Sequence, residues 1–383
     1  MKQHPTIAMR SIQLISCVFI LCLCLGSAQA QTTSFWADSE LSLEQKELTE
    51  AAAYRALNVD QLALAEILKN APSQEAMLAS QSAVIISFPM PNGENLDFKV
   101  VEASVMSAAL QNRFPNIRSY RGAGVDNPLL QAHFDLSPNG LHAMIFREGS
   151  TVFIDPVQDA AAPEKHISYS RNAFFKGTSK TWDGCMALHA GEKAPSTISS
   201  GQNSNLTPIQ MGSQQFPSPV LPLVTDNGDQ LRTYRLALAC TGEYAQFHGG
   251  TVSGALAAMN TSMVRVNGVF ERDIAVRMII VDNNDQLVFL NASTDPYTNN
   301  DGGSMLGQNI NTCNSVIGSA NYDIGHVFST GGGGVAYLQS PCGGNKAGGV
   351  TGQGSPVGDP FDIDYVCHEM GHQFGGNHTQ NNS

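Results

Sequence analysis

Residues 368–378 read HEMGHQFGGNH. His368 and His372 are four residues apart, so on a helix their rings leave one face about one turn apart and can share one metal ion. Glu369 adjoins the first and can reach a water at the metal without binding the metal. Gly375 stands three residues past His372, where a helix can end in a left-handed turn and send the chain back. His378 then returns as a third imidazole. Three protein ligands with an open fourth position are the donor set of a catalytic Zn²⁺ site. The chemistry it predicts is hydrolysis: zinc acidifies a water and polarises a carbonyl, and Glu369 acts as general base.

Other elements must hold that helix. Just before it, GDPFDID offers Asp359 as N-cap, Pro360 at the first helical position and Asp362 at the third, all favourable to the helix dipole. From residue 231, LRTYRLALAC alternates like a strand. In TVSGALAAMNTSMVRVNGVFERD, Leu256, Met259, Met263, Val266 and Phe270 fall at helical spacing behind a Thr251 or Ser253 cap. IAVRMIIV, YDIGHVFS and GGGGVAYLQ read as three more strands. A mixed, mostly parallel sheet with helices against it follows. The run Gly331–Gly334 lacks the G-x-x-x-x-G-K-[ST] layout and precedes a strand, so it is no phosphate loop.

The N-terminal part has a different character. Lys2 and Arg10 precede the apolar SIQLISCVFILCLCLG, and SAQA follows with Ala28 and Ala30; this is the layout of a secretory signal peptide (1–30) cleaved after Ala30. No other stretch is apolar for long enough to span a bilayer, so the expectation is a secreted protein without stable membrane insertion. Residues 36–71 read as helical, with Asp60 as an N-cap and Pro72 as a stop. Strand-and-turn patterns then take over: AVIISF and LDFKVVE around Asn92-Gly93, then LLQAHFDL, LHAMIFR and TVFIDP. A small α+β domain with an antiparallel sheet, 31–190, is predicted; it holds no ligand-spaced cluster. Residues 191–230 are rich in Pro, Ser, Gln, Gly and Asn and read as an exposed linker open to proteases. The second α+β unit covers 231–383. A formal charge of −12 over 383 residues argues against nucleic acid as a partner.

Removal of the signal leaves five cysteines: Cys185, Cys240, Cys313, Cys342 and Cys367. An exported protein can form disulfides, and four cysteines in the second unit allow three pairings; Cys342 with Cys367 is one. His248 and His326 lack partners at ligand spacing, and His189 stands near Cys185. Asn205, Asn260 and Asn291 open N-x-[ST] sequons.

HEMGHQFGGNH matches the metzincin zinc-binding motif. With GVAYLQSPC at 334–342, MVRVNGVFERDIAVRMIIV and DIGHVFST, residues 231–383 resemble the adamalysin/reprolysin metallopeptidases, especially exported bacterial members. The first unit resembles the propeptide of such enzymes. The resemblance implies a zinc endopeptidase zymogen acting on polypeptides, with its own propeptide as inhibitor. It implies that Gly334, Val335, Ala336, Tyr337 and Leu338 form the edge strand that pairs with extended substrate. It also gives Cys185 two readings, a thiolate that fills the fourth zinc position or one half of a disulfide. In the adamalysin pattern the cysteine matching Cys342 bonds to one further downstream.

Two positions depart from that pattern. Thr379 stands where classical adamalysins place Asp, and no methionine turn follows the third histidine, since Met370 lies inside the motif. The expectation is a catalytic domain cut short after the zinc motif. The competing expectations are an inactive fragment that binds zinc or a partner, and a zinc hydrolase of non-peptide substrates. A calcium requirement is left open.

Overall fold

In LHAMIFR, Leu141, Ala143 and Ile145 point to one side of a strand, and His142, Met144 and Phe146 to the other. Both sides are buried. Leu141, Ala143 and Ile145 join a core with Leu64 and Leu68, while Met144 and Phe146 join a second core with Phe153 and Tyr169 that is packed by Val269 and Ile363. This strand therefore lies in a sheet covered on two faces. The computed structural model describes residues 35–49, 51–173, 185–188, 230–331 and 333–378; from Phe35 onward they belong to one compact unit. The signal segment, the linker and His189 lie outside the described residues.

The first sheet is antiparallel and holds nine strands: Trp36–Asp38 (β1), Arg55–Val59 (β2), Ile85–Pro89 (β3), Asn95–Glu102 (β4), Arg118–Gly124 (β5), Gln131–Ser137 (β6), Gly140–Arg147 (β7), Ser150–Pro156 (β8) and Lys165–Ser170 (β9). Their spatial order is β1-β2-β9-β8-β7-β6-β5-β4-β3. Helices Leu43–Leu48 (α1), Gln61–Leu68 (α2) and Ala108–Arg113 (α3) accompany it. The helical reading of 36–71 is corrected in part: Leu43–Leu48 and Gln61–Leu68 are helices, and Asp60 caps the second as read, its carboxylate accepting from Ala63 N. Arg55–Val59 pairs instead with β1 and β9 and buries Leu57 and Val59. Sheet pairing at that edge outweighs the helix propensity of an alanine-rich segment.

The second sheet has six strands: Cys185–Leu188 (β10), Arg232–Cys240 (β11), Val276–Ile280 (β12), Ile324–Ser329 (β13), Gly334–Tyr337 (β14) and Gly349–Gly352 (β15). In the order β10-β14-β15-β13-β11-β12 every pair is parallel except β14 with β15. Its helices are Gly242–Phe247 (α4), Val252–Ile274 (α5), Gly302–Val316 (α6), Gly358–Phe361 (α7) and His368–Gln373 (α8). Both edges of this sheet are met by chain from before residue 190. β10 runs along β14, and Met106 bridges Ile280 of β12, with Ile280 N–H donating to Val105 O.

α5 lies between the two sheets. Thr251 is its cap, accepting from Gly254 N, and Leu256, Met259, Met263, Val266 and Phe270 form one core with β11 and β12. Its opposite side meets the nine-stranded sheet through Val269, which packs on the Met144 and Phe146 core, and through polar groups. Thr261 donates to Asp135, and Ser119 donates to Asn260, so Asn260 is buried rather than a surface sequon. Gly268 permits the closest approach, because a Cβ there would stand 2.7 Å from Met144 Cε and 3.1 Å from His133 Cγ. All five described cysteines are free thiols; the expected disulfide is not formed, Cys240 and Cys313 being enclosed in separate cores.

Two measurements test this packing. Gly268→Val should lower stability by about 1–3 kcal/mol through overpacking, read as a lower urea midpoint at unchanged slope. His133 is buried and held neutral, its pKa lowered to about 3 chiefly by burial and next by Arg121. The unfolded chain takes up that proton below 6.5, so the histidine's contribution is complete above that pH and falls as acid is added. Between pH 7 and pH 5 the protein should therefore lose about 2 kcal/mol more than its His133→Gln variant.

Candidate metal centre

The helix that carries the motif starts earlier than the sequence suggests. Gly358 is its first residue and Val357 precedes it without a side-chain cap bond. Asp359 is thus inside the first turn, correcting the expected N-cap. It is buried, its carboxyl pushed up to about 7 by burial, and it faces Arg171 Nε at 3.5 Å. Residues Asp362–Cys367 form a π-helical turn, and α8 follows directly. One extra residue in that turn rotates everything after it by ~100° about the axis. α8 ends as expected: Gly375 has φ +99°, its N–H donating to His372 O, and Gly376 N–H donates to Gly371 O.

The histidine rings converge. His368, His372 and His378 bring their Nε2 atoms to 3.0, 3.1 and 3.3 Å from one another. The Cys185 Sγ on β10 lies 3.1, 3.3 and 3.2 Å from the same three nitrogens. Six nearly equal separations describe a tetrahedron. Zn–N distances of ~2.05 Å imply edges of ~3.3 Å, so the donor atoms fit one zinc ion. Hydrogen bonding does not account for the cluster. His372 Nδ1 donates to Gly376 O at 2.5 Å, which leaves Nε2 a bare lone pair aimed at the other donors. Burial, and next its two neighbouring rings, lower the pKa of His368 to about 4, and burial lowers that of His372. Both favour the neutral form that binds metal.

Glu369 is 0 % exposed, and the neighbouring group that can donate to its carboxylate is the Cys185 thiol. Burial pushes its pKa up to about 8. A Cβ on Gly334 would fall 2.0 Å from Glu369 Oε1, so β14 presses on this carboxylate and only glycine fits. Burial, and next the Glu369 carboxylate, push the Cys185 thiol up. A buried carboxylate that meets only the Cys185 thiol beside such a donor set is what a metal and its water would satisfy.

The edge read as the substrate strand is already paired. Cys185, Ala187 and Leu188 lie opposite Gly334, Ala336 and Tyr337 in parallel register, and Leu338 N–H donates to Leu188 O at 2.8 Å.

Three residues that lack ligand spacing hold the centre in place. Gln373 is fully buried; its amide donates to Gly325 O at 2.9 Å and accepts from His326 Nδ1 at 2.8 Å. His326 Nε2 then accepts from Thr351 Oγ1 at 2.8 Å. Gln373 follows His372, so these bonds bolt the metal helix to β13 and β15. Only the polar character of Gln373 inside an otherwise apolar helix end signalled this, and it did not identify His326 as its partner. His248 stays apart from the metal cluster, packed on Tyr244 with ring centroids 4.5 Å apart. At the other end, Arg265 of α5 donates to Asp362 Oδ2 at 2.9 Å and to Asp155 Oδ1 of β8.

Residues 230–383 match a family model described as metallopeptidase family M12B, reprolysin-like. No curated protein matches the chain. Among solved structures, metalloproteinase-II from Bacteroides fragilis is similar at a TM-score of 0.43 with 12% identity, over 82% of this chain and 88% of that one.

Gln373→Ala would strand the buried His326 donor and the Gly325 carbonyl. A loss of roughly 2 kcal/mol or more in unfolding free energy is expected, measured by urea denaturation.

Proposed function

We propose that this chain, whose residues 230–383 match the reprolysin-like metallopeptidase model, is the latent precursor of an exported zinc endopeptidase, with Cys185 as the inhibitory ligand. The observation that carries this reading is the tetrahedral cluster of His368, His372, His378 and Cys185. The signal-like residues 1–30 support export, and among the described residues no helix is long and apolar enough to cross a membrane.

In this reading His368, His372, His378 and the Cys185 sulfur would together hold one zinc ion. Zinc, when bound, supplies Lewis acidity toward water and a peptide carbonyl. His372, locked through its Nδ1 bond to Gly376 O, keeps its lone pair fixed on the site. Glu369 takes the proton of the attacking water and delivers it to the leaving amine. Its carboxylate lies beside the three imidazoles, placed to take a proton at one oxygen and release it from there. β14 offers its backbone to an extended polypeptide, and β10 blocks that edge. Latency thus has two parts, a sulfur at the metal and a strand in the substrate's place. Removal of residues before 231, by cleavage within 191–230, would lift both.

Expected outcomes follow for the purified protein. It should bind one zinc ion. Cobalt substitution should give a thiolate charge-transfer band that disappears in Cys185→Ala. Hydrolysis of casein should rise in Cys185→Ala that has been cleaved within 191–230 and freed of the preceding segment, and it should stop on chelation. Glu369→Gln in that background should lower turnover by about 10²-fold or more while metal content stays at one. Turnover that survives Glu369→Gln refutes the general base. A persistent cobalt band in Cys185→Ala refutes the thiol ligand, and hydrolysis of esters but not peptides refutes the substrate class.

A further inference from the structure

Arg265 is 1 % exposed and sits at the middle of α5, between the nine-stranded sheet and the metal helix. One arm of its guanidinium serves Asp155 on β8 and the other serves Asp362, the first residue of the π turn that leads into His368. Asp362 also accepts from Ser262 Oγ at 2.5 Å, and Asp155 accepts from Tyr169 OH at 2.7 Å. The Phe153 ring lies under the guanidinium with its centroid at 5.0 Å. A single buried cation is therefore divided between two buried carboxylates, one from each side of the helix.

The position of Asp362 gives that division a consequence. A π turn closes with one residue more than an α turn, and a relaxed turn would carry the His368–His372 face ~100° around the axis. The far end of the helix is fixed by Gln373. The near end is fixed at Asp362, by Ser262 and by whichever share of Arg265 it receives, and at Asp359 and Asp364 by Arg171. We infer that Arg265 is a positioning residue for the metal centre, holding the π turn through Asp362, and that Asp155 of the N-terminal sheet competes for the same guanidinium. The N-terminal segment then acts on the metal site at a second place, remote from Cys185. This inference rests on the metal-centre reading proposed above.

Asp155→Asn and Asp362→Asn form a matched pair for testing it. Each removes one negative charge at the same guanidinium, keeps side-chain shape, and leaves the other carboxylate bonded to Arg265. If Arg265 only stabilises the core, the two variants should behave alike. The inference predicts divergence in Co²⁺ affinity, measured by chelator competition on the full chain, together with the visible cobalt spectrum. Asp362→Asn should bind cobalt about 10-fold more weakly or worse with altered visible bands. Asp155→Asn should bind at least as tightly as the unchanged protein with its bands intact. Ser262→Ala loosens the same carboxylate without changing charge, and should weaken binding about 3-fold even if Asp362→Asn does not fold. Arg265→Lys, which keeps the charge but cannot reach both carboxylates in a fork, should fall with Asp362→Asn. Equal affinities in the matched pair, with one cobalt bound in the unchanged protein, overturn the inference and leave the metal-centre reading standing. Failure of the unchanged protein to bind one cobalt overturns both.

Discussion

Three imidazoles meet at one point only if the helix that bears two of them is held at a single rotation about its axis. Most of the structure around the site serves that constraint. At the C-terminal end, Gln373 is bonded to β13 through Gly325 and His326, and Ser340 N–H donates to Gln373 O. Beyond it, Phe374 stands edge-on to Tyr234 and Phe270, with centroids at 5.1 and 5.7 Å. At the N-terminal end the hold is electrostatic, through Arg265 and Asp362. Breaking a buried pair of this kind by removing one partner costs about 3–5 kcal/mol, because the other charge is left unpaired. The turn that most needs holding, Asp362–Cys367, is the one with non-α hydrogen bonding.

The N-terminal segment contributes more than a cover. It adds β10 to the β14 side of the six-stranded sheet and bridges β12 at Met106. It also supplies the polar partners for one side of α5. The polar members of that interface, Thr261, Asn260 and Arg265, sit beside apolar contacts of Val269 and Ile363 on the Met144 and Phe146 core, and each polar group could be solvated if the sheet moved away. Glu271, which pairs with Arg121 of β5 at 3.0 Å and with Arg277 of β12 at 2.6 Å, follows the same pattern: it retains a partner on its own side.

Much of the fold was legible where one periodicity ruled one segment. LHAMIFR and TVFIDP alternate and are strands; the apolar spacing in α5 and its Thr251 cap mark a real helix. The reading failed where tertiary pairing decided. Arg55–Val59 has the composition of a helix and became a strand because β1 and β9 flank it. β15, Gly349–Gly352, carries almost no side-chain signal and exists through its neighbours β13 and β14. The polar side of α5 looks the same in sequence whether it faces water or a second sheet.

For the site, residue types and spacing alone determined a good deal. His368 and His372 one turn apart, Glu369 beside the first, Gly375 to end the helix and His378 to return are local relations, and local relations are written in the chain. Tertiary structure alone decided the rest. It brought Cys185 across 183 residues to within 3.1 Å of His368 Nε2, joined His326 to Gln373 over 47 residues, and set Arg265 between carboxylates 110 residues before it and 97 after it. Those contacts depend on how two sheets and one helix stack, and sequence spacing carries no record of a distance that only packing creates.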